Sequence, residues 1–336
     1  MVKDVLREGK LPPEELAPLL AMTSRGSEIS VEAAVGEDAA VVTGARTIVL
    51  TADPITFTEE NIGIYTVAVN CNDIVAMGGE PKYLTTTFLL PPGTTRTQLR
   101  NVFADIANAS DRAGILWVGG HTEVTSAVNR IVVSGHGVGF LDGNPLTTAG
   151  AQPGDSLVMT KWAALEGTTI IARTFPEGAR DLLGRESWKR VSGWLVEPGI
   201  SIIQEGRILR HLSLTSAHDP TEGGVATGIH EIAKRSGVGV EIEFDRITIR
   251  EETETLCRRW GLDPLGLLSS GVFLFTAPPA VAEKACSLLS EGGIPASIIG
   301  RITERRGDVT LLKGKQMEPL PFFVADEYLK IGQGSK

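Results

Sequence analysis

Cysteine is nearly absent from this chain: its three residues, Cys71, Cys257 and Cys286, stand far apart with no C-x-x-C pair. That excludes a disulfide framework and a cysteine zinc site. Long apolar runs are missing too. No stretch approaches the roughly 20 apolar residues that span a bilayer, and Met1 to Lys10 mixes charges without an apolar signal core. The expectation is a cytoplasmic protein with no membrane partner. Excess basic charge is lacking as well. With 32 Lys and Arg against 41 Asp and Glu the net charge is −9, which argues against a nucleic-acid partner, because phosphate backbones are held by clustered cations. A phosphate ligand of so acidic a chain must be met locally, by backbone amides and metal ions. Common catalytic signatures are absent: there is no G-x-x-x-x-G-K-[ST], G-x-S-x-G or H-E-x-x-H, and His121, His136, His211, His218 and His230 have no ligand spacing.

What is present describes an α/β (α+β) protein of two domains. A length of 336 residues, 42% hydrophobic content and 38 glycines suit two cores of about 150 residues each. After a helical lead from Leu11 to Met22, the apolar runs Ala39 to Val42 and Thr47 to Thr51 flank a hairpin signal. A helix is predicted from Ile62 to Met77, a strand from Tyr83 to Leu90, and a helix from Thr97 to Ala113 with Leu99, Phe103, Ile106 and Ser110 on one stripe. Strands follow at Ile115 to Val118 and Arg130 to Phe140. The turn cluster Ala151-Gln152-Pro153-Gly154-Asp155 then resets the pattern, which sets the domains as 1–150 and 151–336. The second half alternates strands and helices again, with strands at Ser156 to Thr160, Leu214 to Ala217, Gly239 to Phe244, Val272 to Thr276 and Ile294 to Ile302.

Within that half, His218-Asp219-Pro220-Thr221-Glu222-Gly223-Gly224-Val225 opens into an amphipathic helix from Ala226 to Lys234. Asp219 suits the N-cap and Pro220 the first helical position. A helix end with free amides and two glycines attracts phosphate. Asp219 with Glu222 three residues on also spells a capping box, which needs no ligand. Four acids of the first half stand where the chain is predicted to turn: Asp38 before a strand, Asp53 after one, Glu123 beyond Gly119-Gly120-His121-Thr122, and Asp73 on a helix. Asn70 and Asp73 are three apart and share a face among apolar neighbours. A carboxylate there needs a partner, since burying it alone costs several kcal/mol. Several acids with glycine-rich corners suit magnesium and a nucleotide better than any soft metal. Cys71, between Asn70 and Asn72, reads as a small buried thiol.

The ordered series Gly-Glu-Asp-Ala-Ala-Val from Gly36, Thr51-Ala52-Asp53, Val69-Asn70-Cys71-Asn72-Asp73-Ile74 running on to Pro81, Gly119-Gly120-His121-Thr122 and His218 to Ala226 resembles the aminoimidazole-ribonucleotide synthase-related superfamily, most closely its hydrogenase expression/formation protein HypE branch. The resemblance runs from about Gly9 to Arg301. It implies an N-terminal mixed sheet with helices that pairs with its twin in a homodimer β-barrel, and a C-terminal α/β domain closing an active site that takes ATP and Mg²⁺. It implies Asp38, Asp53 and Asp73 as metal ligands, Asp73 and Asp219 as catalytic, and Asn70, Gly119, Gly120, His121, Thr122, Gly223 and Gly224 as nucleotide-binding. The activity implied is phosphorylation of an oxygen on a small acceptor. Three positions depart from the branch. The chain ends Gly332-Gln333-Gly334-Ser335-Lys336 without the branch's C-terminal cysteine, Ser269-Ser270-Gly271 replaces Asn-Glu-Gly, and Glu222 replaces an arginine. Thiocarbamate dehydration therefore has no expected carrier. The alternatives are a non-catalytic dimeric nucleotide-binding or assembly protein and a thiamine-monophosphate-kinase-like phosphotransferase.

Overall fold

The computed structural model describes residues 29–333 apart from 33, 38 and 45, together with residues 13, 14 and 17. The predicted lead helix falls mostly outside these, and Asp38 lies outside the described residues. The first sheet has six strands, β1 (Ile29–Val31), β2 (Ala40–Val42), β3 (Thr47–Ile55), β4 (Glu80–Leu90), β5 (Leu116–Val124) and β6 (Val132–Leu141), in the order β1-β2-β3-β6-β4-β5. All neighbours are antiparallel except β4 and β5. Two helices, α1 (Ile62–Ala76) and α2 (Arg96–Ala113), cover one face.

The two helices differ as their sequences dictate. Helix α2 starts on a capping box between Thr95 and Gln98, stops at Gly114 with φ 71°, and buries Val102, Ile106, Ala109 and Ser110. The predicted stripe is thus rotated slightly, with Leu99 and Phe103 packed at its margin. Helix α1 is buried almost all round, as an apolar helix without a polar face must be. It crosses α2 so closely that a Cβ on Gly63 would lie 2.3 Å from the Asp105 carbonyl carbon, and the Asp105 carboxylate accepts from Gly63 N at 2.7 Å.

The second sheet has seven strands, β7 (Ser156–Thr160), β8 (Ser216–His218), β9 (Gly239–Glu243), β10 (Leu274–Ala277), β11 (Ala296–Thr303), β12 (Val309–Lys313) and β13 (Gln316–Pro319), in the order β13-β12-β9-β11-β7-β10-β8. Only β12 and β9 run parallel. Its helices are α3 (Leu165–Thr174), α4 (Pro176–Leu183), α5 (Arg185–Gly193), α6 (Ile203–Leu209), α7 (Gly224–Ser236), α8 (Glu251–Trp260), α9 (Pro279–Glu291) and, near the end, α10 (Leu329–Gln333). Neither sheet closes on itself among the described residues.

The two halves share their interior. One apolar cluster joins Ile62, Tyr65 and Phe88 to Trp162, Leu165 and Trp194, and another joins Val67, Val75 and Leu84 to Val158, Phe273 and Phe275. Helix α1 is common to both. Asn72 on α1 reaches across, donating from Nδ2 to Ile200 O and accepting at Oδ1 from Ile202 N, each at 2.9 Å. Behind that segment the Lys161 ammonium is enclosed by Glu205 Oε1 at 2.7 Å, Ser201 O at 2.7 Å and Gly271 O at 2.9 Å.

Candidate functional site

Strand β3 and helix α1 bring Thr51, Asp53, Asn70 and Asp73 together. Alternate residues of a strand share a face and residues three apart on a helix share one, so the pairs 51/53 and 70/73 meet across one interface. The Thr51 hydroxyl donates to the Asp73 carboxylate, and Asp53 N donates to Asn70 Oδ1 at 3.2 Å. Asn70 Nδ2 donates to Thr66 O at 2.9 Å. Its amide is therefore fixed by its own helix and holds the backbone of Asp53. Glycine at 135 makes this possible, since a Cβ there would come within 2.4 Å of Asn70 Nδ2. Asp73 is buried, and Asp53 lies within β3, two residues before its end, where the sequence pattern had placed it beyond a strand. Cys71 between them is inert, its thiol pushed up to about 12 by burial and by the Asp73 charge.

Helix α1 packs against β8, from whose end the Asp219 loop departs. Asp219 is buried, but it does not cap the helix, and Pro220 is not its first residue. Helix α7 begins at Gly224 with Gly223 as N-cap at φ 77°, after a turn closed by Gly224 N and Thr221 O at 3.1 Å. The two left-handed glycines end the turn and delay the helix. Gly224 is also demanded by packing: a Cβ would lie 2.5 Å from Leu265 O. The capping box between Asp219 and Glu222 does not form, and the expected helix start is corrected accordingly. Below the loop His218 Nε2 lies 2.7 Å from Glu231 Oε2 on α7.

Gly119, Gly120, His121 and Thr122 are not a corner after a strand. They continue β5, the exposed edge of the first sheet. The pairing of β4 with β5 carries the strand through the glycines with a register shift between Leu84 and Thr86. Gly120 is tight, since a Cβ would fall 1.8 Å from Thr86 O. It shares a row with Asp53 through Thr86 and Gly135, three strand spacings or about 14 Å away. His121 points to the opposite face, where its Nε2 is 3.3 Å from Glu123 Oε2. The structure thus joins Asp53, Asn70 and Asp73 in one group and Asp219, Gly223 and Gly224 in a second, and sets the β5 residues apart.

Two acids that sequence reasoning passed over border the second group. Glu166, on the first turn of α3, is fully enclosed and accepts from Ser270 N at 3.3 Å. Asp326, from the C-terminal segment, accepts from Gly223 N at 2.9 Å and Tyr328 N at 2.8 Å. Burial pushes Glu166 up to about 7, with Glu222 adding to the rise while bonds from Ser270 oppose it. Burial also pushes Asp326 up to about 7, with Glu166 and Glu222 contributing. Neither had a local signal: an acid in a first turn and an Asp in a tail are common. The sign of the linkage is definite. A carboxyl raised in the folded state leaves the unfolded chain to ionise first, so between the ordinary carboxylate value and about 7 the folded state binds more protons and stability falls as pH rises. Thermal melts between pH 5 and 8 should show that fall, and Glu166→Gln should flatten it by about 1–3 kcal/mol at pH 8. An unchanged slope in the variant would refute the assignment.

Residues 36–141 match the family described as AIR synthase related protein, N-terminal domain, and residues 152–313 match AIR synthase related protein, C-terminal domain. Together these span most of the chain. The chain belongs to the AIR synthase related family. Within this family it is similar to a putative hydrogenase expression/formation protein of Methanocaldococcus jannaschii, 28% identical with 90% of each chain covered. It is also similar to hydrogenase expression/formation protein HupE of Azotobacter chroococcum, 30% identical over 74% of this chain and 72% of the other, and to carbamoyl dehydratase HypE of Rhodobacter capsulatus, 29% identical over 77% and 75%. Three solved structures share the fold. Escherichia coli HypE has a TM-score of 0.73 at 25% identity, covering 94% and 95% of the two chains. HypE in complex with ATP has a TM-score of 0.69 at 24% identity, covering 85% and 88%. A protein titled AaThiL, complexed with AMPPCP and TMP, has a TM-score of 0.73 at 20% identity, covering 92% and 97%. Like the HypE structures, this family member combines two sheets with helices in a mixed α/β fold, and no helix among its described residues is long and apolar enough to cross a membrane.

Proposed function

We propose that the chain is a HypE-like, ATP- and Mg²⁺-dependent enzyme that transfers the γ-phosphoryl group to an oxygen of a small acceptor of the carbonyl or amide class, releasing ADP. The observation that carries this reading is the meeting of Asp53, Asn70 and Asp73 at the β3–α1 interface, on the helix that packs against the strand leading to Asp219 and the α7 amide end. Magnesium is commonly held by one or two carboxylates, the remaining ligands being water and phosphate oxygens. Asp53 and Asp73, brought to one strand–helix interface through Asn70 and Thr51, fit that demand. Bound magnesium would neutralise charge on the phosphates. Asn70 would keep Asp53 in place, and the glycine turn at Gly223 and Gly224 that starts α7 would face phosphate from the second half. The ATP and AMPPCP complexes among structures that share this fold support a nucleotide here.

In the same reading, residues 1–150 bind nucleotide and dimerise and residues 151–336 close the site, in a cytoplasmic homodimer. Leu116, Val118 and Val124, all more than half exposed on edge strand β5, support pairing with a second copy, because an apolar edge is a template for another strand. Titration calorimetry with Mg-ATP, followed by ADP release against a panel of small metabolites with and without magnesium, tests the proposal. No binding of Mg-ATP would end it. The runner-up, a dimeric nucleotide-binding assembly protein without turnover, is favoured by Asp326 on the Gly223 amide. Tight ATP binding with no ADP release for any acceptor would select it. Transfer to thiamine phosphate would select the kinase-like alternative.

A further inference from the structure

The C-terminal segment 320–331 lies across the start of α7. Its backbone is tied at one end by Leu320 N to Val309 O at 2.9 Å and at the other by Glu327 N to Gly266 O at 3.2 Å. Between these ties Phe323 presses on Gly266, where a Cβ would lie 2.4 Å from its ring, and Phe323 O accepts from Thr227 Oγ1 at 3.4 Å. Phe322 meets the His230 ring edge-on at 5.4 Å, and Phe322 and Val324 remain more than half exposed. At the centre of the segment the buried Asp326 carboxylate takes the N–H of Gly223, the N-cap amide of α7.

We propose that residues 320–331 form a strap that competes with the nucleotide, the Asp326 carboxylate holding the Gly223 amide that a phosphate would use. This inference rests on the reading of Gly223 and Gly224 as a phosphate-facing helix start. One N–H serves one acceptor well, so phosphate and carboxylate exclude each other there. Charge acts in the same direction. Glu222 on the loop and Glu166 on α3 both act on Asp326, so a phosphate entering beside the docked strap meets three acids. On the strap itself Glu327 is engaged by Lys330 Nζ at 2.5 Å and by Asp263 N at 2.9 Å. Withdrawal of the strap removes one of these acids and frees the amide together. Protonation of Asp326 weakens its hold on Gly223 and its repulsion of phosphate, so the competition is strongest above neutrality, where the group is ionised.

The test is calorimetric titration of the full chain with Mg-ATP at pH 6 and pH 8. Asp326→Ala is expected to bind about tenfold more tightly than the unaltered chain at pH 8, with the ratio shrinking at pH 6. Phe323→Ala, which loosens the strap without changing charge, should also tighten binding at pH 8. Hydrogen exchange of the unaltered protein supplies a readout free of substitutions: amides of 320–331 should exchange faster when Mg-ATP is saturating. Equal affinity of all three proteins, or exchange in 320–331 unchanged by bound nucleotide, overturns the strap and leaves the nucleotide site standing. Failure of every protein to bind Mg-ATP overturns the nucleotide site and the strap with it.

Discussion

Asp73→Asn is expected to weaken Mg-ATP binding about 100-fold, the equivalent of roughly 2.7 kcal/mol, while leaving the fold intact. The substitution is isosteric, and the Asn side chain can still accept from the Thr51 hydroxyl that now bonds Asp73. What disappears is a buried negative charge that a divalent cation would neutralise. Two melting experiments separate this from simple loss of structure. In the unaltered protein, saturating Mg-ATP should raise the melting temperature, because a ligand bound only to the folded state stabilises it by mass action. Chelation with EDTA should remove that gain. The Asn variant should melt without ligand at least as high as the unaltered chain, since a buried charge has been deleted, and should show no further rise with Mg-ATP. Retained affinity in the variant would take Asp73 out of the site.

Glu205→Leu should produce the largest loss of stability of any single substitution considered. Lys161 and Glu205 form an ion pair at 2.7 Å with side chains 3% and 1% exposed. Removing one partner strands the other charge inside the protein, which typically costs about 3–5 kcal/mol. For a chain of this size the melting temperature should fall by about 4–7 °C, measured by calorimetry at pH 7. Replacing both partners with apolar side chains, Lys161→Met with Glu205→Leu, should recover most of the loss, because the desolvation penalty of the pair is then gone. Two carbonyls, Ser201 O and Gly271 O, also receive the ammonium, so recovery should be incomplete. A double variant no better than Glu205→Leu alone would assign the effect to lost packing rather than to a stranded charge.

The first group of site residues was legible where its signals are local. A helix spacing of three is enough to put Asn70 beside Asp73, whereas their meeting with Asp53 was only implied by the family resemblance, and the structure adds Thr51 by strand alternation. Pairing between distant segments was less legible. Gly119 and Gly120 read as a break, yet hydrogen bonding to β4 carries β5 through them, a case of tertiary context overriding propensity. The β12–β13 hairpin was missed because its second strand, Gln316–Pro319, is polar and exposed. The start of α7 was placed on Asp219 and Pro220 because both suit a helix N-terminus, whereas Gly223 and Gly224 each take positive φ and postpone it. Glu166 and Asp326 were illegible for a different reason. Their meaning depends on which amides they reach across more than 100 residues of chain, and no periodicity reports that.

Helix α1 has no outside. Its flanks are embedded in the first sheet, in α2 and in the apolar layer of the second half, so neither half retains a finished interior once the other is taken away. A cut between the family's two segments would produce fragments that each display a raw apolar wall, and such fragments aggregate rather than refold. Heating should accordingly melt the intact chain in one calorimetric step instead of two. Evolution of the two segments is bound by the same fact: Val67, Cys71 and Val75 share one face of the helix, and a change of side-chain volume there must be matched in a cluster to which both segments contribute.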